Sequence, residues 1–423
     1  LPIVWSTSNE AKGLQGAPPK VRNRMRVALL LGGRPGGAYL AGIGFVGQRR
    51  RTCSESRYSM PHEVPHAYGS DQLPVELDRD GALVLGGDSV AVLPRLAAGI
   101  ADALVTDPPY GLEFNGHTWD GAAGFAESLP NLDVSTMTPP EVFEAWCAAW
   151  ARGALRALKP GAHLAAFGGT RTWHRMVRGI ESAGFEVRDQ IAWLYSSGMP
   201  KSMDLAYALD KRNGVLRPDR VVQESEREGV LGATRRVVQH GTPVSDDADQ
   251  WAGWGTGLRP SFEPIIIARK PIPGTVLNNV LTHGTGALNI DAARFGDDRW
   301  PANVTLDAAQ AEALDLLTGS RRGAPVSARF PIFRYEHKAP GSERPRAFGV
   351  SHSTVKPLSL MRWLVRLLAP RGGLVLEPFA GSGATVEAAL DEGMRVVAIE
   401  KDASFVPLIA SRIDRVAMRR ADG

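Results

Sequence analysis

A chain of 423 residues exceeds one ordinary domain, and its 43% hydrophobic, 22% charged composition is that of a globular protein, not a disordered or fibrous one. Two cysteines exclude a disulfide scaffold and an all-cysteine zinc site. The net charge of +4 is unevenly placed: residues 1–75 carry 10 basic and 4 acidic side chains, leaving 39 and 41 for the rest, so bulk charge alone does not point to nucleic acid.

Residues 1–77 read as a poorly structured N-terminal extension, rich in Gly, Pro, Arg and Ser without a sustained period. Its apolar run from Val27 to Gln48 is broken by Gly32-Gly33-Arg34-Pro35, too soon to span a bilayer. No other stretch reaches membrane-spanning length, and with Cys53 and Cys147 unpaired the expected location is cytoplasmic. From about residue 78 the pattern becomes strand, turn and helix. Ala82 to Leu85 predicts a strand ending at Gly87-Asp88, Val90 to Leu96 a helix, and Ala101 to Thr106 a buried strand. Glu141 to Leu158 is a helix, His163 to Phe167 a strand, Thr172 to Ala183 a helix, and Phe185 to Leu194 a strand near the sheet edge.

Between 200 and 335 the alternation stops. The stretch is loop-rich and nearly neutral, with 17 basic and 16 acidic residues. It resumes with a helix at Leu358 to Leu368, a strand at Leu374 to Leu376, a helix at Ala384 to Glu392, a strand at Arg395 to Ile399 and a helix at Phe405 to Ala417. The expected fold is α/β, a Rossmann-like sheet with helices on both faces, interrupted by an irregular insert.

Two strand ends carry chemistry. Asp107-Pro108-Pro109-Tyr110 follows a buried strand, where open α/β sheets place their ligands. Two prolines cannot continue a ladder, so the chain leaves the sheet with a carboxylate, a free carbonyl on Pro108 and an aromatic face close together. Those parts suit an exocyclic amino group on a planar base: Asp107 and the Pro108 carbonyl accept its two N–H bonds while Tyr110 stacks on the ring. Phe379-Ala380-Gly381-Ser382-Gly383 also follows a strand and opens a helix, a backbone that approaches a ligand closely. Glu400 ends the next strand, at the spacing of an acid that receives ribose hydroxyls. No Gly-Lys-Ser/Thr follows the glycines, which excludes a phosphate-loop NTPase, and the three-glycine dinucleotide fingerprint is missing.

Together these motifs resemble the amino-methylating DNA methyltransferases that use S-adenosylmethionine (AdoMet). The resemblance covers roughly 78–417 and implies catalytic roles for Asp107, Pro108, Pro109 and Tyr110. It implies cofactor contacts at Asp88, Phe379, Ala380, Gly381, Ser382, Gly383 and Glu400, and at Thr354 and Lys356 of the box His352-Ser353-Thr354-Val355-Lys356-Pro357. The catalytic motif precedes the cofactor loop, which matches the family's β-type, circularly permuted order. Residues 78–199 and 336–423 are then the two halves of the catalytic domain, and 200–335 a target-recognition insert. Stretches such as Trp254-Gly255-Thr256 are similar to phage and prophage members; Lys201, Arg269 and Lys270 are candidate DNA-phosphate contacts, weighed against solvated loop charges.

The implied reaction is methyl transfer to a flipped base in double-stranded DNA, with Tyr110 and its neighbours Phe114 and Trp119 as stacking surface. Aspartate at the head of the motif leans towards adenine N6, with cytosine N4 as the alternative and RNA or a protein amide as a more distant one. A 5-methylcytosine reaction needs a nucleophilic cysteine, which neither Cys53 nor Cys147 supplies, and no residue cluster suggests a metal. Homodimerisation and a cognate restriction endonuclease are the protein partners such a family member admits.

Overall fold

The computed structural model describes residues 73–421 except 114–117, 197–201, 216, 218, 227–233, 296–298, 322–323, 334–351 and 353–354. It opens on an antiparallel pair, β1 (Val75–Arg79) and β2 (Ala82–Gly86), turned at Asp80 and Gly81, both at positive φ. Helix α1 (Ser89–Val92) leads to β3 (Ala101–Thr106), buried at every position. After α2 (Ala122–Glu127) comes α3 (Pro139–Ala157), started by a capping box between Thr138 and Glu141. Then follow β4 (Leu158–Phe167), α4 (Trp173–Ser182) and β5 (Glu186–Leu194).

The middle of the chain holds α5 (Leu205–Arg212), a hairpin of β6 (Asp219–Glu226) and β7 (Thr234–His240), and α6 (Asp246–Gln250). It continues with β8 (Phe262–Arg269), α7 (Val276–His283), β9 (Val304–Asp307) and α8 (Ala308–Thr318). A two-residue pair, β10 (Ser320–Arg321) and β11 (Ala324–Pro325), precedes β12 (Ile332–Phe333). The last part is α9 (Leu358–Leu368), β13 (Leu374–Glu377), α10 (Ala384–Asp391), β14 (Arg395–Glu400) and α11 (Val406–Ala421).

Ten strands form one sheet in the order β1-β2-β14-β13-β3-β4-β8-β5-β9-β12. All run parallel except β1 and β8. Side chains alternate across the sheet with period two. Val84, Ala103, Val105, Val375 and Val396 face one core with Leu364, Trp363 and Ile409 from α9 and α11. Leu83, Leu85, Leu104, Leu376 and Val397 face the other, with Trp146 and Trp150 of α3 and Ile180 of α4. The chain leaves β13 by α10 on the first face and β3 by α3 on the second, although β13 and β3 are neighbours. Such a divergence opens a crevice beyond the carboxyl ends of the two strands, and both candidate motifs lie there.

Three expectations change. The insert is not wholly irregular: β8, within 200–335, is a sheet strand between β4 and β5, with Ile265 to Ala268 buried on both faces. Two further strands of the same stretch, β9 and β12, pair beyond β5, so β5 lies inside the sheet rather than near its edge. The first strand starts at Val75, inside the segment assigned to the extension; residues 1–72 lie outside the described residues. Among the described residues no helix is long and apolar enough to cross a membrane.

Candidate active site

The chain leaves β3 at Thr106 and turns through Asp107-Pro108-Pro109-Tyr110 into a loop fixed from below. Gly111 N–H donates to Asp120 Oδ1 at 2.8 Å and Leu112 N–H to Oδ2 at 3.2 Å, and Asp120 is buried. Thr172 donates to the Tyr110 carbonyl. The loop thereby presents Asp107 and Tyr110 to the crevice with little freedom to drift.

Asp107 is engaged at both oxygens. Tyr110 OH donates to Oδ1 at 2.8 Å, and Lys356 Nζ donates to Oδ2 at 2.7 Å. A second carboxylate, Glu263, takes part: its Oε2 lies 2.9 Å from Tyr110 OH and 3.2 Å from Lys356 Nζ. The ammonium also lies over the Tyr110 and Phe167 rings, 5.3 and 5.0 Å from their centroids. Burial works against the Lys356 charge, but Asp107 and Glu263 outweigh it and hold the amine more basic than an ordinary lysine. Burial and then the same two carboxylates push the Tyr110 phenol well up, so it remains a hydrogen-bond donor.

The candidate cofactor motifs gather on the other side of the crevice, at the ends of β2, β14 and β13. Glu400 Oε2 accepts the Gly381 N–H at 2.6 Å and Oε1 the Asp402 N–H at 2.8 Å. Burial raises this carboxyl above its usual value against those two bonds. Gly381 and Gly383 have φ of +49° and +77°; a Cβ on Gly383 would lie 3.1 Å from the Ile409 backbone. Only glycine accommodates both conditions. The Phe379 ring packs between Trp146 and Trp150 at 5.3 and 5.6 Å, which anchors the loop in the core. Asp88 caps α1 through Val90 N–H and accepts Ser128 Oγ at 2.6 Å, with Lys401 Nζ at 3.0 Å. Burial would raise its carboxyl, but Ser128, Lys401 and Val90 N–H together hold it below its ordinary value.

Between the two clusters sits Glu377, the last residue of β13 and 1% exposed. It accepts from Thr106 Oγ1 and from Phe379 N–H. Burial pushes its carboxyl up to about 8, against bonds from Thr106, Thr385 and Phe379 and with the Asp107 charge adding. Between its ordinary value of 4.5 and 8 the folded chain holds a proton that the unfolded chain has released, so stability falls as pH rises through that window. Glu377→Gln keeps the shape and removes the titration. Its melting temperature is expected to fall less than that of the wild type between about pH 5 and 8. Parallel melting curves across that range would contradict this protonation.

The structure therefore brings Asp107, Tyr110 and Lys356 together, and separately Asp88, Gly381, Gly383 and Glu400. Lys356, grouped by resemblance with the cofactor contacts, has its ammonium on Asp107. Thr354 and Lys201 lie outside the described residues. Arg269 and Lys270 do not fit the phosphate role expected of them. Arg269 is buried and bonds Glu186 at 2.6 Å, and Lys270 Nζ donates to the Leu158 carbonyl at 2.7 Å. Arg269 ends β8 and Lys270 follows it, and because β8 runs antiparallel they lie at the sheet edge opposite Asp107. Glu263, Glu377 and Asp120 were not singled out from the sequence. The signal for Glu377 was its place directly before the glycine loop; Glu263 and Asp120 carry none that spacing reveals.

Comparisons with known proteins give the family of the chain. Residues 101–411 match the DNA methylase family N6_N4_Mtase. The chain is 24% identical over 354 residues to the type II methyltransferase M.HindIII of Haemophilus influenzae, covering 78% of this chain and 94% of that protein. Among solved structures, the Thermus thermophilus protein TTHA0409 complexed with S-adenosyl-L-methionine aligns at 17% identity and TM-score 0.38, over 79% of this chain and 93% of that one. PvuII DNA methyltransferase, cytosine-N4-specific, aligns at 14% identity and TM-score 0.40, over 80% and 90%. With the family match spanning most of the sequence, the chain belongs to the N6/N4 amino DNA methyltransferases, whose methyl donor is AdoMet.

Proposed function

We propose that this enzyme methylates adenine N6 in duplex DNA, with Asp107, the Pro108 carbonyl and Tyr110 as the groups that hold the flipped base. The observation that carries the reading is an aspartate, not a serine, at the head of the motif, oriented by Tyr110 and Lys356 at 2.8 and 2.7 Å. A carboxylate accepts an amino N–H more strongly than a hydroxyl does, and with the Pro108 carbonyl it holds both hydrogens out of the ring plane, which frees the nitrogen lone pair from conjugation with the ring. Tyr110 offers a face on which the displaced base stacks, offsetting part of the stacking lost on extrusion. No covalent intermediate is required, so fixing the nitrogen in line supplies much of the rate.

The residues across the crevice fit AdoMet. Glu400 uses one bond per oxygen on backbone N–H groups and keeps lone pairs for ribose hydroxyls. The glycine loop leaves room for close backbone approach, and Asp88 stands at the end of the neighbouring strand for the adenine end. When bound, AdoMet supplies an electrophilic methyl group on a sulfonium. The protein's part is to orient the attacking nitrogen and exclude water.

We assign DNA contact to the carboxyl edge of the sheet. The loop before β8 lies at that edge: Tyr195 N–H donates to the Ser261 carbonyl and Arg259 to the Ser196 carbonyl. It exposes Trp251 and Trp254, paired edge to face at 5.2 Å, and Leu258, 95% exposed. Aromatic and apolar side chains in such a position suit stacking on bases and wedging beside a flipped one. Labelled AdoMet and unmethylated genomic DNA, followed by nucleoside analysis, test the reading: labelled N6-methyladenine is expected. Labelled N4-methylcytosine would transfer the assignment to cytosine, and label found only in RNA or protein would overturn it.

A further inference from the structure

Glu263 belongs to none of the motifs, yet it closes the site. It is the second residue of β8, opposite Trp193 on β5. Because β8 runs against β4 and β5, its first residues lie where those strands end. That polarity brings its carboxylate to the Tyr110 hydroxyl and the Lys356 ammonium, the two groups that Asp107 also engages. The two carboxylates make matching contacts: Glu263 at 2.9 and 3.2 Å, Asp107 at 2.8 and 2.7 Å, to the Tyr110 hydroxyl and the Lys356 ammonium respectively. Lys356 Nζ also lies 3.1 Å from the Tyr110 oxygen, so four groups form a closed ring.

The hydrogens in this ring can be counted. A phenol carries one, so Tyr110 donates to Asp107 or to Glu263, not fully to both. An ammonium carries three, enough for both carboxylates and the phenol oxygen. The ring thus has two arrangements that differ in which carboxylate receives the phenol hydrogen and which holds the ammonium more closely. In one, Asp107 is occupied. In the other, Asp107 is released and every buried donor still has an acceptor. Without Glu263, releasing Asp107 would leave a buried ammonium and hydroxyl short of acceptors, which is costly.

We infer that Glu263 is a positioning residue for the methyl transfer: the alternate acceptor that draws the Tyr110 hydroxyl and the Lys356 ammonium off Asp107 when a substrate amino group arrives. This rests on the assignment of Asp107 to the amino group. It makes Glu263 a determinant of rate at saturating substrate, with no direct part in holding AdoMet.

The test is a double-mutant cycle read by single-turnover transfer to unmethylated genomic DNA at saturating AdoMet, with AdoMet affinity and melting temperature measured on each variant. Glu263→Gln is expected to slow transfer about thirtyfold while AdoMet affinity stays within about twofold. In a Lys356→Met background the same change is expected to slow transfer less than about threefold, or to speed it, because the ammonium it serves is gone and two facing carboxylates become one. If Lys356→Met is too slow to time, Tyr110→Phe serves as the second background: the phenol hydrogen that Glu263 draws off Asp107 is gone, and Glu263→Gln is expected to slow transfer less than about tenfold there. A supporting role in the fold alone would cost the same factor in every background and lower the melting temperature. Glu263→Gln within threefold of an active wild type, or a full thirtyfold loss in both backgrounds, would overturn the inference alone. A wild type that labels no DNA would overturn the proposed function as well.

Discussion

Replacement of Asp107 by alanine is expected to reduce methyl transfer at saturating substrates by at least about a thousandfold, because in the proposed reading it removes the charged acceptor that orients the attacking nitrogen. AdoMet affinity should remain within about twofold, since the groups that fit the cofactor sit on other strands and none of their hydrogen bonds passes through Asp107. Nor should the fold collapse. Lys356 keeps Glu263 at 3.2 Å, and Tyr110 keeps the same oxygen at 2.9 Å, so no buried donor is stranded. Asp107→Asn separates charge from shape: one oxygen still accepts while the negative charge is gone, and a loss of about ten- to a hundredfold is expected. Single-turnover transfer with labelled AdoMet measures the rate and calorimetric titration the affinity. A cofactor affinity that falls in step with the rate would show that Asp107 acts on the binding of AdoMet and not on the amino group.

How much of this was legible depends on how far apart in the chain the interacting groups lie. The helix at Leu358 to Leu368 and the strand entering Glu377 coincide with their sequence reading because each carries its own pattern, helical period in one and an apolar run ending in glycines in the other. β8 was passed over because Ile265 to Ala268 is buried on both faces, and a run without alternation shows no period. Its antiparallel insertion between β4 and β5 is fixed by register, not by any local residue. Losing that strand also lost Glu263, which meets Tyr110 across 153 positions of sequence. The same gap explains Arg269 and Lys270. A basic pair on a presumed loop reads as a phosphate contact; only the strand places Glu186 and the Leu158 carbonyl beside them. The Asp107 to Tyr110 and Phe379 to Gly383 motifs were legible because each is contiguous, and a turn places its own side chains.

The second large effect lies on the cofactor side and runs in the opposite sense. Glu400→Ala removes the acceptor of the Gly381 and Asp402 N–H groups, at 2.6 and 2.8 Å, and the carboxylate that suits the ribose hydroxyls. Two hydrogen bonds to a charged acceptor are worth about 1.5 kcal/mol each, so AdoMet affinity should fall on the order of a hundredfold. Glu400→Gln retains one accepting oxygen and should cost roughly tenfold. Because Glu400 ends β14 while Asp107 and Tyr110 follow β3 and Glu263 lies on β8, transfer at saturating AdoMet should return to within about fivefold of the wild type. Titration of AdoMet without DNA isolates the first effect; the rate as AdoMet is raised isolates the second. Wild-type affinity in Glu400→Ala would remove Glu400 from the cofactor site. A rate that stays low however much AdoMet is supplied would mean that the glycine loop, released from Glu400, disturbs Glu377 and through it the neighbouring Asp107, and that the two sides of the crevice are not independent.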